Sequence, residues 1–219
     1  MVDLRLYALV DPERANGLAL DDLARRVMQG GATLVQLRDK HGSTRQMVDE
    51  ARAIKAALHH SGVPLLINDR VDVALAAGAD GVHIGQDDMA VADARRLLGN
   101  DAIIGLSLKS VAQANAAPLD LLDYAAIGGV HVTTSKDNPD PPVGIAGLRT
   151  IAGAIRARVP TFPICAIAGI DRSNAADVIA AGADGVSVIS ALSMTSDPAA
   201  AARELRAVVD QALARRSAA

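Results

Sequence analysis

Aromatic residues are nearly absent from this chain. Tyr7, Tyr124 and Phe162 are the only ones in 219 residues, and there is no tryptophan. A packed interior must therefore come from Val, Ile, Leu and Ala, which the 50% apolar content permits. Cysteine occurs once, at Cys165, which excludes an intrachain disulfide. Set in the apolar run Pro163-Ile-Cys-Ala-Ile167, it reads as a small core side chain and not as a nucleophile. Charge of one sign is also lacking. The formal balance is −3 and no long block of like charge occurs, which argues against a nucleic-acid partner. No apolar stretch approaches the roughly 18–20 residues needed to span a bilayer. The opening segment, broken at Asp11-Pro12, lacks the basic region and small-residue cleavage site of a signal peptide. The expectation is a cytoplasmic protein with no membrane partner, its oligomeric state left open, a homo-oligomer included.

What is present is a regular alternation. Short apolar runs predict strands over 4–10, 33–37, 64–67, 81–84, 102–106, 122–127, 162–167 and 185–189. Helical spacing predicts helices over 20–28, 44–61, 71–77, 90–98, 111–117, 145–158, 173–181 and 198–215, with Ser173 as an N-cap. The strands do not alternate polar with apolar, as expected when both faces are buried. Eight strict βα units favour a closed (β/α)8 barrel, a single α/β domain over 1–219. A doubly wound open sheet is the alternative, but no GxGxxG follows the first strand. The heptapeptide AAGADGV occurs twice, at 76–82 and 180–186. One copy runs on to Gln86, Asp87 and Asp88, the other to Ser187 and Ser190. The contrast suggests a metal end and a phosphate end on one repeated frame.

In a barrel of this kind chemistry collects where the strands end. Strand two ends in Gln36, Arg38 and Lys40, which alternation points one way while Leu37 and Asp39 point the other. Three donors on one face suit an anion with several oxygens. Strand three ends in Asn68, Asp69 and Arg70, and strand four in Asp87 and Asp88. Carboxylates from adjacent ends make a hard oxygen site of the kind Mg²⁺ takes, with phosphate and water completing its shell. His83 lies inside strand four. Strand five gives Ser107. The 128–143 loop, the longest in the chain, carries Thr133, Thr134, Ser135 and Lys136, suited to a second phosphate or carboxylate. Strands seven and eight give Gly169, Ile189 and Ser190, where backbone amides commonly bind phosphate, with 190–192 as a short extra helix. A metal site, a cationic face and a separate amide-lined cup imply two phosphorylated small-molecule substrates, or one substrate with two phosphates.

These residues carry a resemblance. Gln36-Leu-Arg-Asp-Lys40, Ile67-Asn-Asp-Arg70, Gly81-Val-His-Ile-Gly-Gln-Asp-Asp88, Ile104-Gly-Leu-Ser107, the 133–136 segment and Gly185-Val-Ser-Val-Ile-Ser-Ala191 resemble, in order and spacing, the thiamine phosphate synthase family. The resemblance implies a pyrophosphate-releasing transferase that joins hydroxymethylpyrimidine diphosphate to a thiazole phosphate. It implies that the segment Gln36, Leu37, Arg38, Asp39 and Lys40, with Asn68, Ser107 and Lys136, binds the pyrimidine diphosphate. Arg38, Lys40, Ser107 and Lys136 would serve catalysis, and Asp69 and Asp88 would bind Mg²⁺. Thr133, Thr134, Ser135, Gly169, Ile189 and Ser190 would bind the thiazole phosphate. In the family pyrophosphate leaves first and the thiazole nitrogen captures a pyrimidine cation.

The chain departs from the family pattern at Lys109 for a His or Thr, Gly129 for a Pro, His131 for an aromatic, Ser135 for a Thr and Ala168 for a Gly. They gather on the thiazole side. The rival readings are a thiazole tautomerase, which would not need Arg38, Lys40, Asp69 and Asp88 together, and a non-catalytic thiamine-phosphate-binding barrel.

Overall fold

Eight short apolar strands line up in chain order, all parallel, and the last returns to the first. The computed structural model describes residues 2–133 and 141–218. In it β1 (Leu6–Val10), β2 (Leu34–Leu37), β3 (Leu65–Asn68), β4 (Gly81–Ile84), β5 (Ile103–Leu108), β6 (Tyr124–Ile127), β7 (Ile164–Ile167) and β8 (Gly185–Val188) form a closed barrel. The closing pair sets Leu6 against Val186. Around it lie α1 (Leu20–Gln29), α2 (Thr44–Ala57), α3 (Val71–Ala77), α4 (Val91–Leu98), α5 (Val111–Ala116), α6 (Gly144–Arg158), α7 (Ala175–Ala180), α8 (Ser190–Ser193) and α9 (Pro198–Ser217). No described helix is long and apolar enough to cross a membrane.

Three local expectations need correction. β5 runs on to Leu108, so Ser107 lies within the strand and not beyond its end. α2 stops at Ala57, and the chain then turns through the left-handed region at His60 and Gly62. Asn174, not Ser173, is the N-cap of α7, and it makes no side-chain cap bond. Ser173 donates instead to the Asp171 carboxylate through both its N–H and its hydroxyl.

Strand alternation divides the buried side chains into two layers. One set packs outward against the helices and forms the larger core. The other points into the barrel and includes Tyr7, Leu9, Leu34, Leu66, Tyr124, Ala126 and Cys165. Both tyrosines are inside, so two of the three aromatics fill the barrel axis. Gly105 makes room for Tyr124, because a Cβ there would fall on the Tyr124 ring.

At the N-terminal rim the residue that precedes each even-numbered strand grips the odd-numbered strand before it. Thr33, Asp80, Asp123 and Asp184 each donate a backbone N–H to the carbonyl of Leu6, Leu65, Ile104 and Ile164 respectively, at 2.6–2.9 Å. Their side-chain oxygens accept the N–H of the same four residues at 2.8–3.1 Å. The three aspartates also hold cations: Lys55 on Asp80, Arg95 on Asp123, Arg156 and Arg216 on Asp184. Gly81 and Gly185 follow two of these clamps, and a Cβ at either would strike the backbone of Ile103 or Leu4.

Candidate active site

At the other rim β3 leaves the barrel through a left-handed residue. Asp69 has φ 61, and its N–H donates to the His83 carbonyl at 2.8 Å. That bond aims the Asp69 carboxylate at Lys40, whose ammonium pairs with it. Asp88 reaches the same place from the β4 loop, which it folds by accepting the Gly85 N–H at 2.7 Å. The Asp69 and Asp88 carboxylates lie within hydrogen-bonding reach of each other. Burial first, then this crowding, raises the Asp69 carboxyl above its ordinary value, although Lys40 opposes the shift. Two carboxylates pressed together and held back from water are what a cation would relieve. Among the described residues no group of three or more His, Cys, Asp or Glu could hold a metal. This leaves a two-carboxylate oxygen site, which fits Mg²⁺, an ion that keeps several waters and shares substrate phosphate.

Arg38 lies beside this pair but is already engaged. Its guanidinium makes an ion pair with Asp11, a carboxylate only 2% exposed at the end of β1. Asp11 also accepts the Glu13 N–H at 2.9 Å, which fixes the short 3-10 turn Pro12–Arg14. The pair uses one edge of the guanidinium and anchors it.

A small cavity opens into the barrel between these groups, lined by Gln36, Arg38, Asn68, His83, Ser107 and Ser187 together with Tyr7, Leu9, Ala126 and Ile167. Side-chain hydrogen bonds cross it from β2 to β5. Gln36 Nε2 bonds to the Tyr7 hydroxyl, and the Tyr7 and Tyr124 hydroxyls are 3.0 Å apart. His83 places Nδ1 2.8 Å from the Tyr124 hydroxyl and Nε2 2.8 Å from Ser107 Oγ. Burial raises both phenols well above their ordinary range, so both stay protonated. Gln36 Oε1, Asn68 Nδ2 and Ser187 Oγ are buried with no partner among the described residues. Natural interiors rarely leave such atoms unpaired, so three in one cavity mark a place for a polar ligand.

A second pocket adjoins the first and shares Ile167 and Ser187 with it. Its other lining residues are Thr133, Ala168, Gly169, Ile170, Val188, Ile189 and Ser190. Gly169 has φ 61, and a Cβ there would meet the Val132 carbonyl. Ala168 has φ 93, a conformation glycine adopts freely and alanine does not. The chain turns from β8 directly into α8 at Ser190. The 128–133 segment joins this wall through Val130 and His131, which donate backbone bonds to Ile167 and Ala168 at 3.1 Å.

Of the expected site residues, Gln36, Arg38, Asn68 and Ser107 line the first cavity, and Lys40, Asp69 and Asp88 meet near its mouth. Thr133, Gly169, Ile189 and Ser190 line the second pocket. Leu37 and Asp39, expected with the diphosphate-binding segment, line neither. Leu37 is buried in the outer core, and Asp39 accepts the His41 and Gly42 N–H groups to shape the β2–α2 loop. Arg70, at the same strand end as Asp69, turns away to Asp72 and Thr44. Thr134, Ser135 and Lys136 lie outside the described residues. Asp11, Tyr7 and Tyr124 were not singled out by sequence as site residues, and Ser187 only as the continuation of the second heptapeptide, where the structure sets it between both pockets. The two tyrosines were the strongest available signal, since large polar-tipped aromatics in strand centres need partners for their hydroxyls.

Comparison with known proteins follows the same lines. A family model described as thiamine monophosphate synthase matches residues 6–192. A thiamine-phosphate synthase of Agrobacterium fabrum is 54% identical over 212 residues, which cover 97% of this chain and 96% of that one. Another, of Chloroflexus aurantiacus, is 49% identical over 95% of this chain and 94% of its own. The solved structure of a thiamine phosphate pyrophosphorylase from Pyrococcus furiosus superposes with a TM-score of 0.83 at 33% identity, covering 97% of this chain and 98% of that one.

Proposed function

The chain belongs to the thiamine monophosphate synthase family, and we propose that it condenses 4-amino-2-methyl-5-hydroxymethylpyrimidine diphosphate with a thiazole phosphate, giving thiamine phosphate and pyrophosphate. The observation that carries this reading is the adjacency of two pockets across one wall, Ile167 and Ser187. One opens beside the carboxylate pair and the basic residues, the other onto glycine-rich backbone. The pyrimidine would occupy the first, against Gln36, Asn68 and Ser107, with its diphosphate toward Lys40, Asp69 and Asp88. Mg²⁺ bound by Asp69 and Asp88 would neutralise charge developing on the leaving pyrophosphate. Arg38, fixed by Asp11, and Lys40 orient the diphosphate and stabilise the same charge. Lys136 is assigned to the diphosphate, and Thr134 and Ser135 to the thiazole phosphate, on their sequence match alone. The thiazole phosphate would sit on the Gly169 and Ile189–Ser190 backbone amides, with Thr133 alongside, so that its ring faces the pyrimidine. Departure of pyrophosphate before capture by the thiazole nitrogen suits a site whose charged groups surround the leaving group.

Incubation with both substrates tests the proposal. Product should form with Mg²⁺ and cease in EDTA; turnover that survives EDTA removes the metal from the reaction. A second reading, isomerisation of a thiazole phosphate, draws on His131, whose Nε2 is buried with no partner among the described residues and whose backbone lies against Gly169. Isomerisation of the thiazole without condensation would select it.

A further inference from the structure

Asp39 and Glu50 meet where the β2–α2 loop folds back on α2. Asp39 closes the loop, its Oδ1 accepting the His41 and Gly42 N–H groups at 2.9 and 2.8 Å. Gly42 makes that fold possible, because a Cβ there would strike Asp39 Oδ2. Glu50, on α2, accepts Gln46 Nε2 through Oε1 at 2.9 Å. Each group keeps its second oxygen, Asp39 Oδ2 and Glu50 Oε2, buried without a partner among the described residues. The two carboxyl groups lie within hydrogen-bonding reach of each other. Two ionised carboxylates cannot satisfy these oxygens, since neither has a proton to give. One proton between them satisfies both.

The charges on the elements packed against α2 are committed elsewhere. Arg25 and Arg26 of α1 pair with Asp21 and Asp22, Asp72 of α3 pairs with Arg70, and β3 carries no charged residue. In the loop Lys40 pairs with Asp69, and His41 lies 3.2 Å from Glu13. On α2 itself Arg52 pairs with Asp49 and Lys55 with Asp80, and Arg45 is exposed. Asp39 is the charged group that acts on Glu50.

The donor count places the proton. Two N–H groups stabilise the Asp39 carboxylate and one donor stabilises that of Glu50. Burial, then the facing Asp39 charge, raises the Glu50 carboxyl above its ordinary value, although the Gln46 bond opposes the shift. We propose that Glu50 is a positioning residue: protonated, its Oε2–H donates to Asp39 Oδ2 and ties the β2–α2 loop, with Lys40 on it, to the side of α2. Loss of that proton sets two charges against each other and frees the loop. A raised folded value means that the tie is complete below the unfolded carboxyl value and is lost as pH rises through the folded one. That Lys40 serves a diphosphate rests on the function proposed above; the tie itself does not.

Carbon-13 NMR of the whole protein, with the Glu50 carboxyl assigned by its loss in Glu50→Gln, should show Glu50 titrating above the ordinary glutamate range. The His41 and Gly42 amide resonances should follow it. In Glu50→Gln the side-chain amide donates to Asp39 at every pH, so those two resonances should stop responding over that range. A Glu50 that titrates in the ordinary range, or amides that still respond in Glu50→Gln, overturns the proposal. Binding of inorganic pyrophosphate with Mg²⁺ reads the effect on Lys40. Glu50→Gln should match the unaltered protein below the Glu50 transition and bind about tenfold more tightly above it. Equal affinity on both sides of the transition overturns the link to Lys40. A protein that binds no pyrophosphate at all contradicts the proposed function instead, and the amide resonances then decide the tie without any ligand.

Discussion

Asp69 answers to conflicting demands. Its backbone is left-handed, its carboxylate is drawn out of water, and Asp88 crowds it. Its folded-state carboxyl is raised, so ionising it costs more in the folded chain than in the unfolded one, and above the ordinary carboxyl range that difference subtracts from stability rather than adding to it. Asparagine keeps the shape, removes the charge and tolerates the left-handed region better than most residues. Asp69→Asn is therefore expected to leave the thermal unfolding midpoint equal or higher without added metal, while turnover falls by about 100-fold or more, since metal charge stabilisation is worth several kcal/mol. A lower midpoint would show that Asp69 is held for stability. Ala168 presents a related case. At φ 93 its Cβ is strained by roughly 1–3 kcal/mol, against which the greater unfolded-state freedom of glycine is about 0.4–1 kcal/mol. Ala168→Gly should raise stability by about 1 kcal/mol in urea unfolding; an unchanged or lowered midpoint would mean that the wall of the second pocket relaxes around the alanine. Residues like Gln36, Arg38, Asn68 and Ser107 were legible in sequence because polar side chains at the ends of apolar strands stand out. Asp11 and Tyr124 were not, because what matters about them is a partner: Asp11 meets Arg38 across 27 residues and Tyr124 meets Tyr7 across 117, through strand pairing that no local pattern displays.

At the level of elements the repeated AAGADGV has a different meaning from the one its two continuations suggest. Its invariant letters serve the opposite rim from the chemistry. Asp80 and Asp184 clamp the preceding strands, and Gly81 and Gly185 allow the adjacent backbone to approach. Thr33 and Asp123 make the same clamp without the heptapeptide around them, so the structural repeat is fourfold where the sequence shows two copies. The residues of the candidate site lie past each copy, where the letters diverge. Asp184→Ala would strip the Ile164 N–H of its acceptor and leave Arg156 and Arg216 without their carboxylate. A loss of about 1–3 kcal/mol is expected in urea unfolding, with turnover at saturating substrate unchanged at a temperature where the variant is folded. Loss of turnover without loss of stability would place the clamp in the chemistry. The strands themselves were foreseeable to within a few residues, since apolar runs bounded by Gly, Pro and Asp leave little choice. The end of α2 and the N-cap of α7 were not, because turn geometry at His60 and the side-chain bonds of Asp171 decide them.

Across the whole molecule, closure of the barrel in chain order brings the ends of β2, β3 and β4 beside one cavity and those of β7 and β8 beside the other. The account depends on these being two sites used at once: one for a diphosphate with its cation, one for a monophosphate. Titration calorimetry puts this to the most direct test. Protein saturated with Mg²⁺ and inorganic pyrophosphate should still bind thiazole phosphate, one molecule per chain, and Asp88→Ala should abolish the Mg²⁺-dependent pyrophosphate binding while leaving the thiazole phosphate isotherm in place. Mutual exclusion of the two ligands, or loss of both in Asp88→Ala, would contradict it.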